Sequence, residues 1–90
     1  MIIDAHNHPD WRGHDLAKLL ANMDANGIDV TWLLSWEAPV DEVDPATNDV
    51  MPGAGEGGPV PFARCLSYVE RAPGRFVPGC CPDPRRPGAI

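Results

Sequence analysis

The architecture of this chain is set by residues 14–36, HDLAKLLANMDANGIDVTWLLSW. Four apolar residues in the first half have the i, i+3, i+4, i+7 spacing of one helical face: Leu16, Leu19, Leu20 and Met23. Asp15 or His14 is placed to cap this helix, and Gly27 stands where a left-handed residue would end it. The remainder, IDVTWLLSW, is almost continuously apolar and β-branched, as in a strand buried on both faces. The stretch therefore predicts a helix followed directly by a buried strand.

Further elements of the same two kinds flank this stretch. Ile2 and Ile3 predict a strand that ends near His6, and RFVPGC at residues 75–80 predicts another. A second helix is predicted by the apolar spacing within PFARCLSYVERA: Phe62, Cys65, Leu66 and Val69. Residues 36–61 are rich in proline, glycine and acids and predict a long irregular loop. The order β-α-β-α-β belongs to the α/β class with parallel strands, and the 90 residues are expected to form one unit.

The composition narrows the class of protein. A net charge of −6 gives no reason to expect nucleic-acid binding. The three cysteines are an odd number without CxxC spacing, which fits a reducing compartment better than a disulfide framework. No apolar run approaches the roughly 20 residues of a membrane span, and the amino terminus lacks the pattern of a secretory signal. We expect a cytoplasmic protein that contacts neither nucleic acid nor membrane.

A pair of histidines follows the first predicted strand, in the sequence IIDAHNHPD at residues 2–10. Side chains alternate along a strand, so His6 and His8 are expected to point to the same side. Imidazole suits zinc and neighbouring transition metals, and a catalytic zinc needs about three protein ligands plus water. The pattern predicts a divalent metal site, with zinc as the first candidate, at the end of the strands where α/β enzymes carry their active sites. The alternative is two solvated loop histidines.

Other side chains are expected near this site, each with a simpler structural alternative. Asp4 could orient a ligand histidine, or it could only bond the local backbone. Trp11 and Arg12 in the following loop, and Trp36 after the second strand, are candidate substrate-binding residues, with Arg12 able to fork onto a carboxylate. Their alternative is ordinary surface and rim packing. Residues 80–81 are two cysteines for which a buried structural role is expected, and no catalytic residue is assigned.

Three segments resemble a known enzyme family. IIDAHNHP at residues 2–9 looks like the D-x-H-x-H opening of the amidohydrolase superfamily. LLANMDANGIDVTWLL at residues 19–34 and YVERAPGRFVPGCCPDPRRPGAI at residues 68–90 resemble the amidohydrolase-related branch, which includes aminocarboxymuconate-semialdehyde decarboxylase. The resemblance covers the chain except the loop at about residues 36–60.

The resemblance implies a fold, a metal and a reaction class. The fold would be the amino-terminal portion, three strands and two helices, of a (β/α)₈ TIM barrel of the metal-dependent hydrolase type. His6 and His8 would be the first two ligands of a divalent ion, and the other ligands would come from later strands. The activity would be that of a hydrolase or a decarboxylase (a carbon–carbon lyase) acting on a small carboxylated, aromatic-derived compound. The partners would be this substrate and either the remainder of the barrel or further copies of the chain.

Two alternatives remain open. One is a non-catalytic fragment or partner-dependent module with at most weak metal binding, because two ligands without a third rarely hold zinc tightly. The other alternative is a metal-dependent phosphoesterase of the TatD or PHP type, since these enzymes also begin with D-x-H-x-H. The R-F-V-x-G … D-P segment at residues 75–84 argues against both of these phosphoesterase families.

Overall fold

A computed structural model of the chain describes residues 1–46 and 57–88. Its centre is a sheet of three parallel strands in the order β1-β2-β3. The strands are β1 (Ile3–Asn7), β2 (Val30–Leu34) and β3 (Phe76–Gly79). The predicted α/β class and the parallel pairing are confirmed.

Each of the two helices connects one strand to the next. They are α1 (Leu16–Ala25) and α2 (Phe62–Arg71). α1 begins at one of the two predicted caps, since the Asp15 side chain accepts a hydrogen bond from the Lys18 backbone N–H at 2.9 Å. It ends before Gly27, which has a φ of +67°. Among the residues described, no helix is long and apolar enough to cross a membrane.

Both helices cover the same face of the sheet. One core cluster joins apolar residues of α1, β2, α2 and β3: Leu16, Leu19, Met23, Leu33, Cys65, Tyr68 and Phe76. The prediction for α1 is confirmed, but that for α2 is wrong in part, because Leu66 is 41% exposed while Tyr68 is fully buried. Tyrosine can take this buried position because its hydroxyl has hydrogen-bond partners inside the protein.

The other face of the sheet is open in the described part of the chain. Trp32 is 45% exposed and Val77 is 46% exposed, whereas Thr31, Leu33 and Phe76 are buried. Alternate side chains of a strand point to opposite faces, and both helices pack on one of them. The prediction that β2 is buried on both faces is therefore wrong for the residues described.

The loop after β2 is tied back to the end of that strand. The Trp36 N–H donates to the Val60 carbonyl at 2.8 Å, and the Val60 N–H donates to the Trp36 carbonyl at 3.0 Å. Gly58 has a φ of +89°, and a Cβ there would lie 2.5 Å from the Cα of Glu37. Glycine is therefore needed where the loop returns. Residues 47–56 of the predicted loop lie outside the described residues.

Candidate metal site

The histidine pair lies at the carboxyl end of β1. The ring centroids of His6 and His8 are 5.2 Å apart, with an angle of 85° between the ring planes. His6 is exposed and His8 is half-buried. The two rings lie together rather than on opposite sides of the strand, which is the arrangement that two ligands of one ion require.

The tautomer of His8 follows from its hydrogen bond to the neighbouring strand. Its Nδ1 lies 2.6 Å from the Leu34 carbonyl oxygen. A carbonyl only accepts, so Nδ1 carries the proton, and the lone pair of the neutral ring is on Nε2. Metal-binding histidines commonly donate their second N–H to a backbone carbonyl in this way, which fixes the ring orientation. His8 is thus prepared to offer Nε2 to an ion.

The pair on its own is an incomplete ligand set. Within residues 1–46 and 57–88 there is no group of three or more histidine, cysteine, aspartate or glutamate side chains able to hold a metal ion. His14 lines the same pocket as His8 but does not complete such a group among these residues. The donor chemistry fits zinc or a neighbouring transition metal, but the described residues supply two of the roughly three protein ligands that a catalytic zinc uses.

Asp4 acts on the backbone around the two histidines. Its Oδ1 accepts from the His6 N–H at 3.2 Å, and its Oδ2 accepts from Asn7 Nδ2 at 3.1 Å. The Asn7 Oδ1 in turn accepts from the His8 N–H at 2.8 Å. The pairing with β2 is irregular between Asp4 and Asn7, and these bonds stabilise the irregular segment. Asn7 was not predicted from the sequence, although an asparagine between two histidines can bond the adjacent backbone.

A row of aromatic rings leads from the histidines to the end of β2. The centroid of Trp11 is 5.3 Å from that of His8 and 6.0 Å from that of Trp36. A pocket of about 300 Å³ lies beside this row, and His8, Trp11 and Arg12 are among its lining residues. The structure thus brings two of the three predicted substrate-binding residues, Trp11 and Arg12, together with His8. Trp36 is outside the pocket lining and contacts the site through Trp11.

Arg12 brings a positive charge to the pocket. Its side chain is exposed, and its backbone is left-handed, with a φ of +52°. Among the described residues no carboxylate lies within ion-pairing distance of its guanidinium. The planar fork of N–H groups of this guanidinium is suited to a ligand carboxylate.

A buried charge cluster that was not predicted from the sequence lies behind the loop. Asp10 is 2% exposed, and its Oδ1 accepts from the Tyr68 hydroxyl at 2.7 Å and from Arg64 Nη2 at 3.1 Å. Arg64 Nε also donates to the Asp10 carboxylate. The hydrogen bond to Asp10 raises the pKa of Arg64, and burial raises that of Tyr68. The only sequence signal was the four-residue spacing of Arg64 and Tyr68, which places them on one side of α2.

A second polar cluster joins the ends of β2 and β3. Glu37 Oε2 accepts from Ser35 Oγ at 2.8 Å and from Cys80 Sγ at 3.6 Å, while the Cys81 N–H donates to Ser35 Oγ at 2.8 Å. Both cysteines are exposed, so the prediction of buried structural cysteines is wrong at these positions. Desolvation and the Glu37 carboxylate raise the pKa of Cys80, which disfavours the nucleophilic thiolate form.

Searches of known family models, curated proteins and solved structures find no match to this chain.

Proposed function

We propose that this chain is the first part of a metal-dependent hydrolase or decarboxylase barrel of the amidohydrolase-related kind. In a (β/α)₈ barrel the helices surround the strands, and the other face of the strands packs into the interior. Two helices on one face of an ordered parallel sheet support this proposal. The open face around Trp32 and Val77 would then pack against the opposite wall of the barrel.

The observation that carries the proposal is the arrangement of the two histidines. Their rings are 5.2 Å apart at the carboxyl end of β1. The bond from His8 Nδ1 to the Leu34 carbonyl directs the proton to Nδ1 and leaves Nε2 as a ligand. This bond fixes the tautomer of the half-buried His8 ring, which a freely solvated loop histidine would lack. We therefore assign His6 and His8 as ligands of a divalent ion, with zinc as the first candidate.

The surrounding residues suit a small carboxylated substrate that contains a ring. When bound, the ion would polarise a substrate oxygen or lower the pKa of a bound water to about 7. Arg12, which lines the pocket beside His8, can make two parallel hydrogen bonds to a carboxylate. Trp11 offers an apolar wall against which a ring can stack. Asp4, acting through Asn7, holds the backbone of the ligand segment.

A second candidate function is a partner-dependent module with at most weak metal binding and no turnover. Two observations favour it: the described residues group only two ligands, and one face of the sheet is open. This candidate predicts metal binding through the same two histidines but no reaction by the chain. Metal-dependent turnover of a carboxylated aromatic compound by the chain would exclude it.

Zinc titration by calorimetry tests the metal assignment. We expect a His6→Ala, His8→Ala double variant to bind zinc at least about tenfold more weakly than the wild type, because it loses both imidazoles of the pair. His14→Ala is the comparison variant, since it removes the third histidine of the chain, which lines the same pocket as His8 but lies outside the pair. Its affinity should stay within about twofold of the wild type. Equal affinities in the wild type and the double variant would refute the metal site.

A further inference from the structure

The loop that follows the histidine pair has an unusual backbone. Asp10 has φ 57° and ψ 18°, and Arg12 has φ 52° and ψ 41°. Both are therefore left-handed, a conformation that residues other than glycine seldom adopt. Such residues persist only where the surrounding structure holds them, and they cluster at functional sites. Trp11, whose ring contacts His8, stands between them.

The structure shows what holds this loop. The carboxylate of Asp10 accepts hydrogen bonds from both Arg64 and Tyr68 of α2. The backbone N–H of Asp10 donates to the same Tyr68 hydroxyl at 3.0 Å. Asp10 is thus bonded through its side chain and its main chain to residues 54 and 58 positions away.

We propose that Asp10, bonded to Arg64 and Tyr68, is a positioning residue that holds Trp11 against His8 and Arg12 at the pocket. This inference rests on the proposed function, because the site that it positions is the proposed metal and substrate site. Asp10 touches neither ligand nor substrate in this assignment. Its effect passes through Trp11, whose ring centroid is 5.3 Å from that of His8. α2 therefore controls a site to which it contributes no ligand.

The chain offers a matched pair of variants for the test. Arg64→Met removes the guanidinium from Asp10, which is 2% exposed, and Arg85→Met removes the guanidinium from Asp83, which is 7% exposed. Both variants leave a nearly buried aspartate without its arginine, but only the first lies behind the histidine loop. Arg64→Lys restores the positive charge beside Asp10 and serves as the conservative variant.

The first measurement is zinc affinity by calorimetry, at a temperature where circular dichroism shows that all variants are folded. We expect Arg64→Met to weaken binding about tenfold, the low end of the loss seen when residues behind a metal ligand are changed. Arg85→Met should remain within about twofold of the wild type, and Arg64→Lys should recover most of the affinity. A purely structural role would lower stability in both methionine variants without separating their zinc affinities.

The second measurement needs no metal. The N–H groups of Gly13 and His14 donate to the carbonyls of Asp10 and Trp11, so their hydrogen exchange reports the order of the loop. Exchange at both should be about tenfold faster in Arg64→Met than in Arg85→Met. Equal exchange and equal zinc affinity in these two variants would overturn the inference and leave the metal assignment standing. A wild-type chain that fails to bind zinc would overturn the proposed function, and the exchange rates would then decide whether Asp10 orders the loop.

Discussion

Tyr68→Phe should lower the free energy of unfolding by about 2.5–4 kcal/mol. The hydroxyl of the fully buried Tyr68 donates to Asp10 Oδ1 at 2.7 Å and accepts from the Asp10 N–H at 3.0 Å. A hydrogen bond to a charged group is worth about 1.5–3 kcal/mol, and a buried N–H left without a partner costs about 1–3 kcal/mol. Arg64 still pairs with Asp10 in the variant, so we expect the lower part of the summed range. The edge-to-face contact of the ring with Phe76 is retained.

The loss is large against the total stability that a chain of this length can have. At about 0.05–0.15 kcal/mol per residue, 90 residues give about 5–13 kcal/mol. Urea unfolding followed by far-ultraviolet circular dichroism measures the difference, provided that the slope against urea is unchanged. Leu66→Ala is the control on the same helix, because this leucine is 41% exposed and its truncation should cost less than about 1 kcal/mol. A loss below about 0.5 kcal/mol for Tyr68→Phe would refute the reasoning about the Asp10 cluster.

Three further predictions concern the core and the open face. Burial raises the pKa of the Cys65 thiol to about 11. The contribution of this thiol to the free energy of unfolding should therefore be fully present below the unfolded thiol's pKa of about 8.5 and be lost as pH rises towards 11. In urea titrations, Cys65→Ala should remove about 1–3 kcal/mol of this alkaline loss of stability. The control is Cys81→Ala, at an exposed position. An unchanged pH profile in Cys65→Ala would contradict the prediction. Among the described residues, Thr31 Oγ1 is buried without a hydrogen-bond partner. Thr31→Val should therefore be neutral or raise the free energy of unfolding by up to about 1 kcal/mol. A loss above about 1 kcal/mol in the same assay would show that the hydroxyl has a partner. The open face should make the chain associate as its concentration rises, and Trp32→Glu should lower the mass measured by light scattering; an unchanged mass would exclude Trp32 from the contact.

Much of the candidate site was predictable because it lies in one short segment. The His-x-His spacing predicted that His6 and His8 lie together, and their ring centroids are 5.2 Å apart, although His8 follows the last residue of β1 and the pairing before it is irregular. The expectation for Asp4 also concerned neighbours in the sequence, and the structure shows its bonds to the local backbone. Asp10 could not be predicted, because its partners Arg64 and Tyr68 lie more than 50 residues away.

The order of strands and helices, a cap for α1 at Asp15 or His14 and the apolar face of α1 were all predictable from the sequence by itself. They depend on residue spacing, capping and backbone preference, which act over a few residues. Only the tertiary structure decided which face of β2 is covered and which side of α2 is buried. Both depend on how the two helices lie across the sheet, so Trp32 is exposed although its strand is almost wholly apolar, and Tyr68 is buried where its hydroxyl meets Asp10. Burial of a residue is determined by the elements that pack against it, and local spacing carries no information about where those elements lie.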